Sequence, residues 1–203
     1  MTGTWYKATR LDGTSFYDSS TVWRVGRITR HPKPDLSLGL CSKGVLHASD
    51  APGEALLGGS WPCRLFVVEP RGKLVSDGSH KHGCAAWKVV EEIEAWQALG
   101  PNGRLVVALI ERAKRLTPEE AKQLAAARGA AWSAAGAAWD AAWSAARRAA
   151  WSASGAAWDA AWDASDAALA TVTRDLISEE HYRTLAGPWE SVMGPIDALE
   201  AGK

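Results

Sequence analysis

Histidine and cysteine side chains are the first candidates for chemistry in this sequence, because together they could bind a metal ion or form a nucleophilic pair. They are concentrated in one stretch of the chain, at Cys41, His47, Cys63, His80, His82 and Cys84. A structural zinc site usually takes Cys or His pairs separated by about two to four residues. The segment His82-Gly83-Cys84 is too short for such a pair, and the chain has no Cys-x-x-Cys. The sequence therefore predicts no metal site.

A nucleophilic Cys–His pair is a second possibility, since Cys41 and His47 flank one predicted turn. Lone Cys and His residues are more often structural than catalytic. Cys63 follows Pro62 at the start of a predicted strand, and we expect it to be buried as a small apolar residue. The Gly-x-Ser-x-Gly of hydrolases, the His-Glu-x-x-His of metalloproteases and a Gly-rich phosphate loop are all absent. Residue spacing alone therefore assigns no reaction class.

A basic cluster near the N-terminus has two interpretations. It comprises Arg24, Arg27, Arg30 and Lys33, with His31 between them. A solvated strand and loop is the favoured interpretation, because aromatic residues are interleaved only at Trp23. The alternative is a patch that contacts the phosphates of a nucleic acid or another polyanion.

The element around which these segments must be arranged is the stretch from Thr117 to Ile177. Its opening Thr-Pro-Glu-Glu places Thr117 at the N-cap, Pro118 at the first helical position and Glu120 at the third. Alanine dominates the remainder of the stretch, and no proline recurs before Pro188. We expect an unbroken helix from about Glu119 to Leu176, a rod roughly 90 Å long. The alternative is a hairpin with a loop at Arg147-Arg148, which is less favoured because neither Gly nor Pro marks a turn there.

Tryptophans punctuate this predicted rod in two blocks of three that repeat at a 19-residue offset. They are Trp132, Trp139 and Trp143, followed by Trp151, Trp158 and Trp162. Within each block the spacings of 7 and 4 place the indoles on one helix face. Between blocks the face turns by roughly 100°. The positions are also nearly palindromic about Arg147, as an antiparallel two-fold dimer would require.

Two interpretations of the Trp blocks remain open. In one, the blocks pack on the chain's own N-terminal domain and C-terminal tail. In the other, which we favour, at least one block meets a second subunit, so that the chain is a homodimer. A membrane-spanning helix is excluded, because charges interrupt every window of about 20 residues. These are Asp140, Arg147, Arg148, Asp159, Asp163 and Asp166.

Charge and cysteine content indicate the compartment. Residues 1–116 carry a net charge of +5 and residues 117–203 carry a net charge of −5. The two halves could therefore attract each other, or the basic half could bind a polyanion. Three cysteines, an odd number, together with an N-terminus that has no apolar targeting core, predict free thiols and a cytoplasmic protein.

Alternating apolar residues before the rod predict a small, mostly antiparallel sheet. Strands are expected at Trp5–Thr9, Leu65–Glu69 and Ala85–Ile93, with a short helix after Asp50. The predicted fold class is α+β. The predicted domains are an α+β domain at 1–116, the long helix at 117–177, and a helical turn with a docking tail at 178–203, stopped by Gly187-Pro188.

Several motifs resemble an uncharacterised family of actinobacterial and actinobacteriophage proteins. The matching residues are Leu40-Cys41, Gly44, His47-Ala48-Ser49, the segment 61–66, Thr117 to Ala121, His181 to Leu185 and Pro188-Trp189. The resemblance covers nearly the whole chain but implies no activity. It favours a phage-type interaction or assembly protein, with a host or phage protein as a possible partner and no cofactor.

The chain also resembles ADP-ribosyltransferase-like domains more weakly. That resemblance implies Arg10 as the first-strand residue, Ser49 as the strand-end hydroxyl and Glu92 or Glu94 as the catalytic carboxylate, with NAD as cosubstrate. His47 and Ser49 would then share a cleft with the glutamate. A small transferase is therefore the alternative function, and a nucleic-acid-binding module the lesser one.

Overall fold

The computed structural model describes residues 3–40 and 43–199, which form two compact units divided between Ala98 and Leu99. We call them the sheet unit and the helical unit. The predicted α+β class is confirmed. The boundary differs from the predicted one after residue 116, because Gly103–Ala113 packs on helices further along the chain and so belongs to the helical unit.

The sheet unit contains seven strands, all paired antiparallel, in the order β2-β7-β4-β1-β3-β6-β5. They are Trp5–Thr9 (β1), Ile28–Arg30 (β2), Leu46–Ser49 (β3), Arg64–Pro70 (β4), Val75–Ser76 (β5), Lys81–Cys84 (β6) and Ala86–Ile93 (β7). The three strands expected from alternation are confirmed. The helix expected after Asp50 is a single 3-10 turn, Pro52–Glu54.

One face of this sheet carries the apolar core of the unit. Its members include Trp5, Leu46, Ala48, Phe66, Val68, Trp87 and Val89, with Trp23 packed among them from a loop. Two buried indoles satisfy their polar atoms inside the core. Trp87 Nε1 donates to the carbonyl of Leu46 at 2.9 Å, and Trp23 Nε1 donates to Ser15 Oγ at 2.8 Å.

Cysteine chemistry contributes little to this unit. Cys63 and Cys84 are free thiols and buried. Burial raises the pKa of the Cys63 thiol to about 12, so it stays protonated and behaves as a small apolar group. Cys41 lies outside the described residues, so the Cys41–His47 pair stays a prediction.

The helical unit packs four helices around a short central one. The helices are Gly103–Ala113 (α1), Pro118–Ala149 (α2), Trp151–Ala161 (α3), Ser165–Val172 (α4) and Glu179–Met193 (α5), with 3-10 turns at Trp162–Ala164 and Ile196–Leu199. Every residue of α4 is buried. Within the described ranges, no helix is both long enough and apolar enough to cross a bilayer.

The predicted start of α2 is confirmed by its capping box. The backbone N–H of Glu120 donates to Thr117 Oγ1 at 3.2 Å, and the backbone N–H of Thr117 donates to Glu120 Oε2 at 2.7 Å. Pro118 occupies the first turn, where its missing N–H costs nothing. Local sequence chemistry is sufficient to begin this helix.

The prediction of an unbroken rod is wrong. Helix α2 bends at Ala135 and ends at Ala149, because the φ of −150° and ψ of 72° at Ala150 are not helical. The chain then folds back, so that Arg128 pairs with Asp166 and Trp143 contacts Trp158. Neither Gly nor Pro marks this turn. Burial of apolar surface on both arms outweighs the helix propensity of a single alanine, because propensity differs by less than about 1 kcal/mol per residue.

The predicted stop at Gly187-Pro188 is also wrong. Helix α5 runs through Pro188 to Met193 and ends at Gly194, whose φ is 84°. Ser178 caps its start by accepting from the backbone N–H of His181 at 3.2 Å. Leu185 and Trp189, on either side of the proline, are buried in the unit, and their packing holds the interrupted helix together.

Candidate functional site

Two adjoining cavities open in the sheet unit beside β1 and β3. They measure about 310 Å³ and 240 Å³ and share three lining residues, Lys7, Tyr17 and His47. We call the pair the Lys7 cleft. The larger cavity falls at the lower end of the size range of small-molecule pockets.

The strands and one loop explain why the cleft forms here. β1 and β3 are in register at Tyr6↔Ser49. Lys7 follows Tyr6 on β1, His47 lies two residues before Ser49 on β3, and both line the two cavities. The loop after β1 closes the cleft with Ser15, Phe16 and Tyr17.

Arg10 holds that loop in place. Its guanidinium donates to the carbonyl of Ser15 and, at 2.5 Å, to the carbonyl of Phe16, and lies 5.7 Å from the centroid of the Phe16 ring. The transferase resemblance implies Arg10 as the first-strand catalytic residue, but its guanidinium is engaged with the backbone. It therefore acts as a positioning residue for the loop.

Lys7 is the most perturbed cation of the cleft. Its side chain is half-buried, and Nζ lies 5.3 Å from the centroid of the Trp23 ring. Burial, aided by the positive charge of Lys81, lowers the pKa of Lys7 to about 8. A strand residue on the same face as Trp5 and Thr9 would normally be apolar. This lysine keeps its charge at neutral pH because an indole face and a solvent-connected cavity receive it.

His47 is held neutral beside it. Burial lowers the pKa of His47, and Nε2 donates to the carbonyl of Leu40. Since a carbonyl only accepts, the proton sits on Nε2 and Nδ1 carries the free lone pair. On the same strand Ser49 is buried, and its hydroxyl donates to the carbonyl of Glu54 at 3.0 Å.

Besides Lys7, two cations and two carboxylates surround the cleft. Lys43, Lys81 and His31 line it, together with the acidic Asp18 and Glu54. Asp18 is stabilised as a carboxylate by its own loop, because it accepts from Thr21 Oγ1 at 2.6 Å and from the backbone N–H of Ser20 at 2.9 Å. These hydrogen bonds lower the pKa of Asp18 to about 2.

The residues implied by the transferase resemblance are not brought together. His47 and Ser49 lie on β3, whereas Glu92 lies on β7, and β1 and β4 separate the two strands. Three strand spacings amount to roughly 14 Å. Glu92 instead forms a bidentate pair with Arg64, at 2.8 Å and 2.6 Å. Glu94 is exposed beyond the end of β7.

The basic residues of the N-terminal cluster are all exposed. Arg24 and Arg27 lie in the turn before β2, Arg30 ends this edge strand, and Lys33 lies just beyond it. Binding of a polyanion by these residues stays a prediction.

The six tryptophans of the two Trp blocks fall into two groups. Trp139 is buried, and Trp143 and Trp158 are half-buried against each other. Trp132, Trp151 and Trp162 remain 56%, 57% and 73% exposed. The two Trp blocks therefore pack partly on one another within one chain. The exposed indoles leave room for a partner.

Sequence reasoning found His47 and Ser49 but missed Lys7 and Tyr17. For Lys7 the sequence did contain a signal. Lys7 lies two residues after Trp5 on a predicted strand, so the two side chains lie on the same face of the sheet and the lysine places a charge on the side of the core. Tyr17 gave no signal, because it belongs to a loop whose position depends on tertiary contacts. Comparisons of the chain with protein-family models, with curated proteins and with solved structures found no match.

Proposed function

We propose that this protein is a binding protein whose sheet unit takes up a small anionic molecule in the Lys7 cleft. The observation that carries the proposal is the position of Lys7 between two neighbouring cavities, one of which is also lined by Lys81 and the other by Lys43. Lys81 lowers the pKa of Lys7, so the two cations repel each other. An anionic group bound between them would relieve that repulsion.

The ligand is expected to combine a phosphate or carboxylate with a flat apolar part. The cations and the cleft hydroxyls supply the polar contacts. The aromatic side chains of Tyr6, Phe16 and Tyr17 line the larger cavity and offer ring surfaces. The proposal is limited to binding, and no reaction is assigned to the cleft.

Calorimetric titration with adenosine monophosphate and with adenosine tests the proposal, because the pair differs only by the phosphate. We expect the nucleotide to bind and adenosine to bind at least about tenfold more weakly. Lys7→Met should abolish the difference. Lys73→Met is the matched control, since Lys73 is exposed and lies outside the cleft.

A complementary measurement records the Lys7 ammonium by NMR during titration with inorganic phosphate. Anion binding should raise the pKa of Lys7 above about 8. No response of Lys7 to phosphate or to carboxylate probes at millimolar concentration would contradict the proposal.

A second function, self-association through the helical unit, is favoured by the exposed Trp132, Trp151 and Trp162. We propose a second copy of this chain as the partner. The joint between α2 and α3 is the single residue Ala150, and the tryptophans are nearly palindromic about Arg147. If the joint straightens, α3 of one chain can take the place of α3 in the other, which is a domain swap.

Light scattering over a range of concentrations tests this second function. A dimer is expected, and Trp143→Ala combined with Trp151→Ala should convert it to a monomer or unfold the helical unit. A wild-type monomer at all concentrations would contradict it. The resemblance to phage proteins is consistent with such an assembly role, and phage origin, like a cytoplasmic location, stays a prediction.

A further inference from the structure

A third cavity, of about 480 Å³, opens in the helical unit and has an unusual wall. Four indole rings line it, together with two carboxylates. These residues are Trp132, Trp139, Trp143, Trp158, Asp140 and Asp166. Helix α2 supplies most of the wall, and the chain that folds back after Ala150 supplies Trp158 and Asp166.

The indole faces of this unit already attract cations from within the chain. The guanidinium of Arg128 lies 5.6 Å from the centroid of the Trp158 ring. That of Arg147 lies between two rings, 5.2 Å from Trp143 and 4.1 Å from Trp151. The negative face of an indole attracts a cation most strongly where water is excluded. The cavity therefore has the electrostatic character of a cation site.

Asp166 supplies a second, independent indication. Its side chain is 6% exposed and forms an ion pair with Arg128, yet Oδ1 has no hydrogen-bond partner among the described residues. A buried carboxylate oxygen without a partner is costly. Burial accordingly raises the pKa of Asp166. A cationic ligand in the cavity would stabilise the ionised carboxylate.

The charges lining the cavity are unbalanced. Asp140 and Asp166 carry two negative charges, and Arg128 supplies one positive charge. Asp140 is exposed at the opening. A single positive charge entering the cavity would restore neutrality.

We propose that this cavity binds a small molecule with a quaternary ammonium group. A trimethylammonium head spreads its charge over methyl groups, so it loses little hydration among indole rings and covers apolar surface as well. A primary ammonium would lose strong hydrogen bonds to water, and the indole faces offer none in return. The carboxylates then add charge attraction without requiring a donor from the ligand.

Isothermal titration of the full chain with choline tests the proposal. The control ligand is 3,3-dimethyl-1-butanol, which has the same shape without the charge. We expect choline to bind at least about tenfold more tightly than the neutral analogue. Equal binding of the two would overturn the proposal, as would the absence of saturable choline binding up to about 10 mM.

Two pairs of variants identify the cavity. Asp140→Asn should weaken choline binding about threefold to tenfold, and Asp159→Asn, an exposed aspartate on α3 outside the cavity, should leave it unchanged. Trp132→Ala should weaken it about tenfold, and Leu176→Ala, a comparably exposed apolar residue of the same unit outside the cavity, should not. Equal affinities within the Asp pair would overturn the assignment even if Trp132→Ala fails to fold.

Discussion

Trp143 and Trp158 meet edge to face, with ring centroids 6.1 Å apart and ring planes at 85°. The two residues belong to different Trp blocks and to different helices, α2 and α3. Their contact therefore joins the two copies of the sequence repeat. Arg147, stacked against Trp143, lies just before the joint at Ala150. The turn is thus held by aromatic contacts, with no residue that by itself breaks a helix.

The first prediction is an energetic coupling between these two tryptophans. Trp143→Ala and Trp158→Ala should each destabilise the helical unit by roughly 2–4 kcal/mol, because each leaves a cavity beside a large partner. The double variant should lose less than the sum, by about 0.5–1.5 kcal/mol, the usual value for an aromatic pair. Hydrogen exchange of the buried α4 amides measures the loss in this unit alone.

The control for that cycle is Trp162→Ala. Its indole is 73% exposed, so its removal should change the free energy of local opening by about 0.5 kcal/mol or less. Strict additivity of the Trp143 and Trp158 variants would mean that the rings do not interact in solution.

The second prediction concerns the fold-back at Ala150. Spin labels at Ala126 and Asp163, both exposed, should lie well under about 40 Å apart, because their neighbours Arg128 and Asp166 form an ion pair. A continuous helix would separate the labelled positions by roughly 55 Å. Electron–electron double resonance distinguishes the two, with the native cysteines replaced. A single long distance between the labels in a monomeric sample would show that the helix is continuous and that the fold-back does not form.

How far the sequence alone could predict this unit depends on the range of the interactions. The start of α2 is set by Thr117, Pro118 and Glu120, which act within one turn and need no tertiary contact. The break at Ala150 depends on the packing of Trp158 against Trp143, two residues that are fifteen positions apart in the sequence. Alanine favours helix there, so local rules predict continuity. The sequence did contain one indication of the break, the large apolar residues on both sides of it. The nearly palindromic Trp positions are compatible with a hairpin as well as with a dimer.

The same distinction applies to the Lys7 cleft. The strands that carry Lys7 and His47 were predictable from alternation and turn residues. The cleft itself depends on Arg10 fixing the loop at Ser15 and Phe16. It also depends on Lys81, distant in sequence, approaching Lys7 closely enough to lower its pKa. Such proximity is set by strand order, which the sequence does not reveal.

The third prediction is a pH dependence centred on Asp50. Its carboxylate accepts from His80 Nδ1 at 2.7 Å and from His82 Nε2 at 3.1 Å. The hydrogen bond to Asp50 raises the pKa of His80 above 6.5. Because the pKa is raised in the folded state, this contribution to stability is complete below pH 6.5 and is lost as pH rises through the folded pKa.

Asp50→Asn should return the pKa of His80 toward 6.5, as measured by NMR titration of its ring protons. The accompanying change in stability should be only a few tenths of a kcal/mol, since the His80 side chain is exposed. His181 is a suitable internal reference, because it lies in the helical unit. An unchanged His80 titration in the variant would show that the pair does not form.

The last prediction is that Lys7 lowers the free energy of unfolding of the sheet unit, although it contributes to the proposed binding site. Its pKa falls from 10.5 in the unfolded chain to about 8, so the folded state binds fewer protons between these values. The resulting destabilisation is complete below about pH 8 and is relieved as pH rises toward 10.5. Lys7→Met should therefore stabilise the unit at pH 7 by roughly 1–3 kcal/mol. This gain over the wild type should shrink above pH 8, as measured by hydrogen exchange of the β4 and β7 amides.

Lys73→Met, which removes an exposed charge, should change stability by about 0.5 kcal/mol or less at either pH. A Lys7→Met variant less stable than the wild type at pH 7 would show that the contact with Trp23 outweighs the cost of burying the ammonium. A stabilised variant that no longer binds an anion would instead mean that the lysine is kept at the expense of stability, as expected for a residue that serves the ligand.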